Sequence, residues 1–249
     1  MTGAEPSPRL SLIVPAYNEE RFLPRLLDSV DVARARLGSG ADAVEIVIAD
    51  NASTDRTAAL AAERGCRVAR VERRSIAAAR NGGARAARSG TLLFTDADGR
   101  IHPRTFEAIE AALADPRVVG GATGVTLERW SPGLVLTFAA FLPMLWATGL
   151  DTGVVFCRRG DFEAVGGYDE DRLYGEDVAF LWALRRHGRR DARRLIRLRG
   201  AKATASTRKF DRHGDWHYFT AMPGLAWRML FRRSAATDWA RDYWYRPKR

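Results

Sequence analysis

The sequence predicts an α/β fold, a mostly parallel central sheet flanked by helices, and three observations carry that reading. Short apolar runs with strand-like spacing alternate with stretches whose apolar residues recur at helical spacing. Several of the runs stop in acidic or Asx-rich turns, as strands do at the ligand-bearing edge of an open sheet. No internal repeat, low-complexity linker or break in composition divides the 249 residues, which suit a single large domain.

Leu10-Ser11-Leu12-Ile13-Val14 reads as the first strand, ended by Pro15 and followed by the loop Ala16-Tyr17-Asn18-Glu19-Glu20. Phe22, Leu23, Leu26, Leu27 and Val30 then recur with helical spacing. Val44 to Ala49 is a second strand ending in Asp50-Asn51-Ala52-Ser53-Thr54-Asp55, with Ser53 or Thr54 expected to cap a helix through Ala58 to Glu63. Cys66 to Val71 is a shorter strand. Ile76 to Arg88 is an alanine-rich helix carrying Arg80-Asn81-Gly82-Gly83, with Gly90 as its stop.

Leu92-Leu93-Phe94 is a buried strand running into Thr95-Asp96-Ala97-Asp98-Gly99. Pro103 opens a helix through Leu113, and Val118 to Leu127 is strand-like with Gly120, Gly121 and Gly124 marking bulges or close approach. Leu134 to Leu150 is apolar but broken by Pro143, and is expected to form a buried or interfacial helix pair rather than a membrane span. Thr152 to Arg158 is another strand, Gly166-Gly167-Tyr168-Asp169-Glu170 a turn, and Glu176-Asp177 opens a helix closed by His187-Gly188.

Bulk composition narrows the chemistry. The net charge is +10 and the sequence pI about 10.4, nearly all from arginine, since lysine occurs only at 202, 209 and 248. Such charge attracts phosphate in any form. Cys66 and Cys157 sit in apolar runs and read as buried reduced thiols, as expected in a reducing compartment. Met1 to Arg9 is polar and carries two prolines, unlike a signal peptide, so a cytoplasmic location is expected. The tail from Pro223 mixes Leu225, Trp227, Met229, Leu230 and Phe231 with Arg228, Arg232 and Arg233. That pattern fits either packing on its own domain or peripheral contact with the inner face of an anionic membrane.

The acids are the most informative residues. Asp96 and Asp98 would share a side if their strand continued straight through them, and two hard oxygen ligands at a strand's carboxyl end suit a divalent cation that also holds phosphate. An isolated DxD is often only a turn. Here it is joined by Asp50 after an earlier strand and by Glu176-Asp177 at a later helix start. Neighbouring helical residues do not face each other, so one of that last pair is expected to aim into a site.

In order and spacing, Ile13–Glu20, Asp50–Asp55, Ala79–Gly83, Asp96–Gly99, Gly166–Glu170 and Glu176-Asp177 resemble the inverting family 2 glycosyltransferases with the GT-A fold. The resemblance covers about residues 10 to 187. It implies a nucleotide-binding half over about 10–99, an acceptor-binding half over about 100–205 and a helical tail over about 206–249. It also implies that Pro15, Ala16, Tyr17, Glu19, Asp50, Arg80, Asp96 and Ala97 line the nucleotide-sugar pocket, with Asp50 accepting a hydrogen bond from the base. Asp98, with Asp96, would hold Mg²⁺ or Mn²⁺ on the diphosphate of a UDP- or GDP-linked donor. Asp177, beside Glu176, would be the general base. Arg80 could meet the diphosphate or be a solvated charge on its helix.

Departures from the pattern are informative too. Val178 and Ala179 follow the late pair where a further acid is often seen, and Asn51 stands where many members carry aspartate. The chain contains no glutamine, so the QxxRW motif of processive synthases is absent and transfer of a single sugar to a hydroxyl acceptor, with a lipid-linked one in view, is expected. His213 and His217 stand at i, i+4 spacing, but Gly214 between them favours a loop over the nucleotide above metal ligation. Two other classes fit the sequence less well. A nucleotidyltransferase would carry a Gly-rich basic loop after the first strand, where this chain has an acidic one. A nucleic-acid module would show a recognition signature, and no zinc-finger, homeodomain or RRM motif is present, so no nucleic-acid partner is expected.

Overall fold

Strand β1 (Leu10–Ala16) alternates its side chains between two cores. Leu12 and Val14 point to one, Ile13 to the other, and all seven of its residues are buried. The computed structural model describes residues 7–148, 152–172 and 175–216, with side chains described except at 141–148, 212 and 213. Pro15 does not end β1 as expected. The Ile13 carbonyl accepts from the Thr95 N–H at 3.2 Å, so Ile13 and, two residues on, Pro15 face the neighbouring strand beyond its last paired residue. The missing proline donor therefore removes no ladder bond.

Helix α1 (Leu23–Arg36) buries Leu23, Leu26, Leu27, Val30 and Ala33, the stripe that its spacing predicts. Each large side chain in it stabilises the fold by roughly 1.5–3 kcal/mol. A short 3₁₀ turn, Ala41–Ala43, leads into β2 (Val44–Asp50), which pairs in parallel with β1 from Leu10↔Val44 to Ala16↔Asp50. Helix α2 (Thr57–Glu63) starts without a side-chain cap, so Ser53 and Thr54 do not serve the role expected of them. Strand β3 (Arg67–Arg70) is the arginine-tipped edge beside β2.

Helix α3 (Ile76–Ala86) is capped by Ser75, whose Oγ accepts from the Ala78 N–H. It ends at Ala86, ahead of Gly90, because Ala87 is already extended. Its two glycines are packing residues. A Cβ on Gly82 would lie 2.4 Å from Val71 Cγ2, and one on Gly83 would lie 2.4 Å from Ile13 Cγ2. The helix can lie this close to the sheet only without those side chains.

Strand β4 (Thr91–Phe94) pairs with β1 in parallel, and α4 (Thr105–Leu113) buries Phe106 and Ile109. The run from 118 to 127 is two strands, β5 (Val118–Ala122) and β6 (Val125–Leu127), broken where Gly124 turns with a φ of 77°. Helix α5 (Pro132–Thr148) is one continuous helix through Pro143, where a pair was expected. One proline removes a single i→i−4 bond, which the remaining turns of an apolar helix outweigh. Then follow β7 (Val155–Arg158), α6 (Arg159–Ala164), α7 (Glu176–Arg189), β8 (Arg194–Arg197), β9 (Ala203–Ala205) and α8 (Arg208–His213). Among the described residues no helix is long and apolar enough to cross a membrane.

The main sheet has the order β3-β2-β1-β4-β7-β5-β8, and β6 with β9 forms a separate parallel pair. The large sheet is parallel except for β7, which runs against both β4 and β5. The side chains of α1 and α4 fill one core, and those of α3, α6 and α7 the other. This is the mixed α/β layer structure that the sequence predicts. The reversed β7 begins beside Phe94, the last residue of β4, so the segments following β1, β2 and β4 and the approach to β7 share one edge.

Candidate active site

At that edge, the loops after β1 and β2 are tied together by their polar side chains. The Asn18 N–H donates to Ser53 Oγ at 3.1 Å, and Thr54 N–H donates to Asn18 Oδ1 at 2.8 Å. The Glu19 N–H donates to Thr57 Oγ1 at 2.8 Å, and the Glu20 N–H to Asp55 Oδ2 at 3.1 Å. Residues that look like helix caps in the sequence are cross-links between two loops. Asn18 and Ala52 adopt positive φ values, 52° and 60°, inside this lattice. Asp50 is buried and accepts from the Ser53 N–H at 3.2 Å, while Asn51 is occupied by the carbonyls of Val71 and Arg73.

Pro15 and Ala16 are the last two residues of the β1 ladder, paired with Ala49 and Asp50, and Tyr17 lies half-buried with the Arg74 guanidinium 3.4 Å from its ring centroid. Ala97 turns its methyl into the core, so only its backbone can face a ligand.

Arg80 is the hub of the opposite wall. It lies 3% exposed on α3, which excludes the solvated alternative. Its Nη2 donates to Asp96 Oδ1 at 3.0 Å and its Nη1 to Glu176 Oε1 at 2.8 Å. Nη1 also lies 2.7 Å from Asp177 Oδ1, a charge contact without hydrogen-bond alignment. Both acids of α7 therefore converge on Arg80, where only one was expected to face the site. They fork around the guanidinium at the helix start, after Gly175 has turned the chain with a φ of 66°. Arg80 stays charged because three carboxylates offset its burial.

The same helix positions the acids from behind. Asn81 Oδ1 accepts from the Tyr168 N–H at 2.9 Å, and its Nδ2 donates to the Tyr168 carbonyl at 2.8 Å. This fixes the Gly166-Gly167-Tyr168 turn, where a Cβ on Gly167 would lie 2.8 Å from Asn81 Oδ1. Tyr168 is buried, stacked on Phe180 at 4.3 Å, with the Arg80 guanidinium 5.1 Å from its ring centroid. Its neighbourhood desolvates Asp177. Burial pushes that carboxyl up to about 7, against the pull of Arg80, with the nearby Glu176 and Asp96 charges adding to the rise.

Asp96 and Asp98 do not share one side, because β4 ends at Phe94 and the chain turns. Asp96 faces Arg80, whereas Asp98 faces Arg208 from the start of α8, its Oδ2 2.8 Å from Arg208 Nε. Arg208 also grips Glu19 with two bonds, of 2.8 and 2.6 Å. Burial pushes the carboxyls of Glu19 and Asp98 upward, with Arg208 opposing the rise in each. Lys209 lies close enough to Asp96, Asp98 and Glu176 to feel all three charges, yet burial brings its ammonium down to about 8. The acids from three separate segments, after β1, after β4 and at the start of α7, thus gather around three cations.

Sequence reasoning missed Arg208, Lys209, Asn81 and Tyr168 as site residues. In an arginine-rich chain nothing local distinguishes Arg208, although Lys209 is one of only three lysines. The side chain of His213 and all of His217 lie outside the described residues, as does the basic apolar tail. No group of three or more His, Cys, Asp or Glu side chains arranged to hold a metal occurs among the described residues.

The family model described as glycosyl transferase family 2 matches residues 11–196. The chain is 27% identical over 227 residues to validoxylamine A glucosyltransferase from Streptomyces hygroscopicus subsp. limoneus, covering 73% of this chain and 49% of that protein. It is 34% identical over 118 residues to the dolichyl-phosphate beta-glucosyltransferase of Drosophila melanogaster, covering 43% and 36%. The chain thus spans about half the length, or less, of these curated relatives. The mannosyltransferase PcManGT from Pyrobaculum calidifontis, solved with GDP-Man and Mn²⁺, superimposes with a TM-score of 0.58 at 26% identity, over 77% of this chain and 55% of that one. A match that runs from β1 to β8 and takes in both walls of the site shows that the chain belongs to glycosyl transferase family 2.

Proposed function

We propose that this chain transfers one sugar from a UDP- or GDP-linked donor to a hydroxyl acceptor, with inversion and with help from Mg²⁺ or Mn²⁺. The observation that carries the reading is the Arg80 hub, which joins Asp96 beyond β4 to Glu176 and Asp177 on α7. That linkage supports the reading by joining in one cluster the acids proposed for the donor side and the acceptor side. In this reading Asp50 and the Pro15–Glu19 loop hold the nucleotide. Asp177, desolvated and beside a cation, accepts the proton of the acceptor hydroxyl as its oxygen attacks the anomeric carbon.

The donor set fits a hard divalent cation. Asp98 and Asp96 offer carboxylate oxygens, and to share one ion they would turn from the guanidinium groups of Arg208 and Arg80 that now balance them. Two protein ligands leave room for phosphate oxygens and water, the usual arrangement for Mg²⁺. When bound, the ion would neutralise charge developing on the departing diphosphate. The Mn²⁺ in the mannosyltransferase neighbour supports this reading.

For the acceptor we propose a lipid-linked hydroxyl. The first turns of α5 leave Val135 and Leu136 about half exposed, next to an exposed Trp130. The dolichyl-phosphate relative supports the same choice. Absence of liposome binding, with no change when Arg232 and Arg233 are neutralised, would count against the membrane-facing form.

The experiment is thermal-shift screening of nucleoside diphosphates with and without Mn²⁺, followed by an assay of product. Release of nucleoside diphosphate supports sugar transfer, and release of pyrophosphate would indicate nucleotidyl transfer. Asp177→Ala should retain nucleotide binding and lose transfer. Loss of both together would remove Asp177 from the proposed role.

A further inference from the structure

Arg208 occupies the place where the proposed donor site needs its cation. Its Nε lies 2.8 Å from Asp98 Oδ2, and its two Nη groups hold both oxygens of Glu19. The guanidinium also lies over the Phe22 ring, 4.9 Å from the centroid. This placement is built into the backbone. Arg100, two residues after Asp98, exchanges two hydrogen bonds with Thr204: Arg100 N–H to the Thr204 carbonyl at 3.0 Å, and Thr204 N–H to the Arg100 carbonyl at 2.8 Å. Gly99 has no side chain because a Cβ would lie 2.9 Å from the Thr204 oxygen. Strand β9 therefore clamps the acidic turn and delivers Arg208 to Asp98 three residues after it ends.

A divalent ion arriving alone must compete with this internal cation for Asp98. A unit positive charge at contact distance in a half-buried site opposes a dication strongly. A nucleoside diphosphate changes the balance, because it brings negative charge for the displaced guanidinium to meet. We propose that Arg208 is the resident counter-cation of the donor site. It holds Asp98 and Glu19, resists a metal ion binding alone, and moves to the diphosphate when nucleotide and metal enter together. Metal and nucleotide then bind as a coupled pair, each raising the affinity of the other by the same factor. The inference rests on the donor-site reading above and adds a reason why free metal would not load the site beforehand.

The test is titration of the full chain with Mn²⁺ alone, UDP or GDP alone, and both together, read by Mn²⁺ paramagnetic resonance and calorimetry. Wild type, Arg208→Gln and Arg208→Lys are compared, with circular dichroism as the check of fold. Arg208→Gln should bind Mn²⁺ alone more tightly by about tenfold to a hundredfold, the scale of removing one opposing charge near the ion. The same variant should bind the nucleotide more weakly and show less coupling between the two. Arg208→Lys, which keeps the charge, should hold Mn²⁺ affinity near that of wild type. Unchanged or weaker Mn²⁺ binding in Arg208→Gln would overturn the proposal, as would equal tightening in both variants. Wild type that binds neither nucleotide, with or without Mn²⁺, would instead overturn the donor-site reading itself.

Discussion

Replacing Asp177 by asparagine separates the cost of its charge from its use. The carboxyl titrates at about 7 in the folded chain, against an ordinary value of 3.8. Because the folded value is the higher, the folded state keeps a proton that the unfolded chain has already lost. The stability this confers is complete below about pH 4 and disappears as pH rises through 7. A displacement of about three pH units corresponds to roughly 4 kcal/mol, and sharing of charge with Glu176 and Asp96 makes roughly 2–4 kcal/mol the expected range. Asparagine keeps the shape and cannot ionise. Asp177→Asn should therefore be more stable than wild type by that amount at pH 8, by only roughly 1–2 kcal/mol at pH 5, and nearly equal to it below about pH 4, measured by urea unfolding across this range. Sugar transfer should vanish in the variant, and in wild type kcat/KM should climb through about pH 7 to a plateau. A stability difference that is the same at pH 5 and 8, or an activity flat from pH 5 to 8, would refute the claim that a desolvated carboxylate acts here.

Three further outcomes test the scaffold and the site. Gly83→Ala puts a methyl 2.4 Å from Ile13 Cγ2 and 3.2 Å from Ala49 Cβ. It should cost about 1–3 kcal/mol and lower the melting temperature by roughly 3–10 °C, measured by calorimetry. Asn81→Ala leaves the Tyr168 N–H and carbonyl without their side-chain partner. It should cost about 2–3 kcal/mol by urea unfolding and reduce transfer more than it reduces nucleotide affinity. Asp98→Ala should abolish the part of the thermal shift that depends on Mn²⁺ while leaving a shift from nucleotide alone.

How much of this was legible in the sequence depends on whether the deciding interaction was local. The apolar runs at 10–14, 44–49 and 92–94 announce buried strands because burial on both faces demands them. The helical stripe of α1 is equally plain. Other misreadings share one cause. Ser53 and Thr54 look like caps because a helix starts four and three residues after them, but their partner Asn18 is 35 and 36 residues distant. Pro15 looks like a strand end because a lone chain cannot reveal which neighbour has already stopped. The clustering of Asp96 with Glu176 and Asp177 could be suspected only from motif order, since the guanidinium that joins them comes from a third segment, the helix α3 that precedes both. Arg208 was invisible for a related reason, as its identity as a site residue lies in the β9 bridge to Arg100 and not in its neighbours.

The one reversed strand has a further consequence for the layout of the chain. Since β7 starts at the cleft and ends at the far side, α6 and the turn after it must travel back, and α7 begins at the cleft edge. The chain from β5 to α7 is thus an excursion whose end at α7 returns to where it left, joined in the main sheet to β1, β2 and β4 along the β4–β7 seam. Substitutions or insertions within the excursion can reshape this side of the cleft without altering the register of β1, β2 and β4. Under the proposed function, one architecture would in this way keep its donor grip while its choice of acceptor diverges.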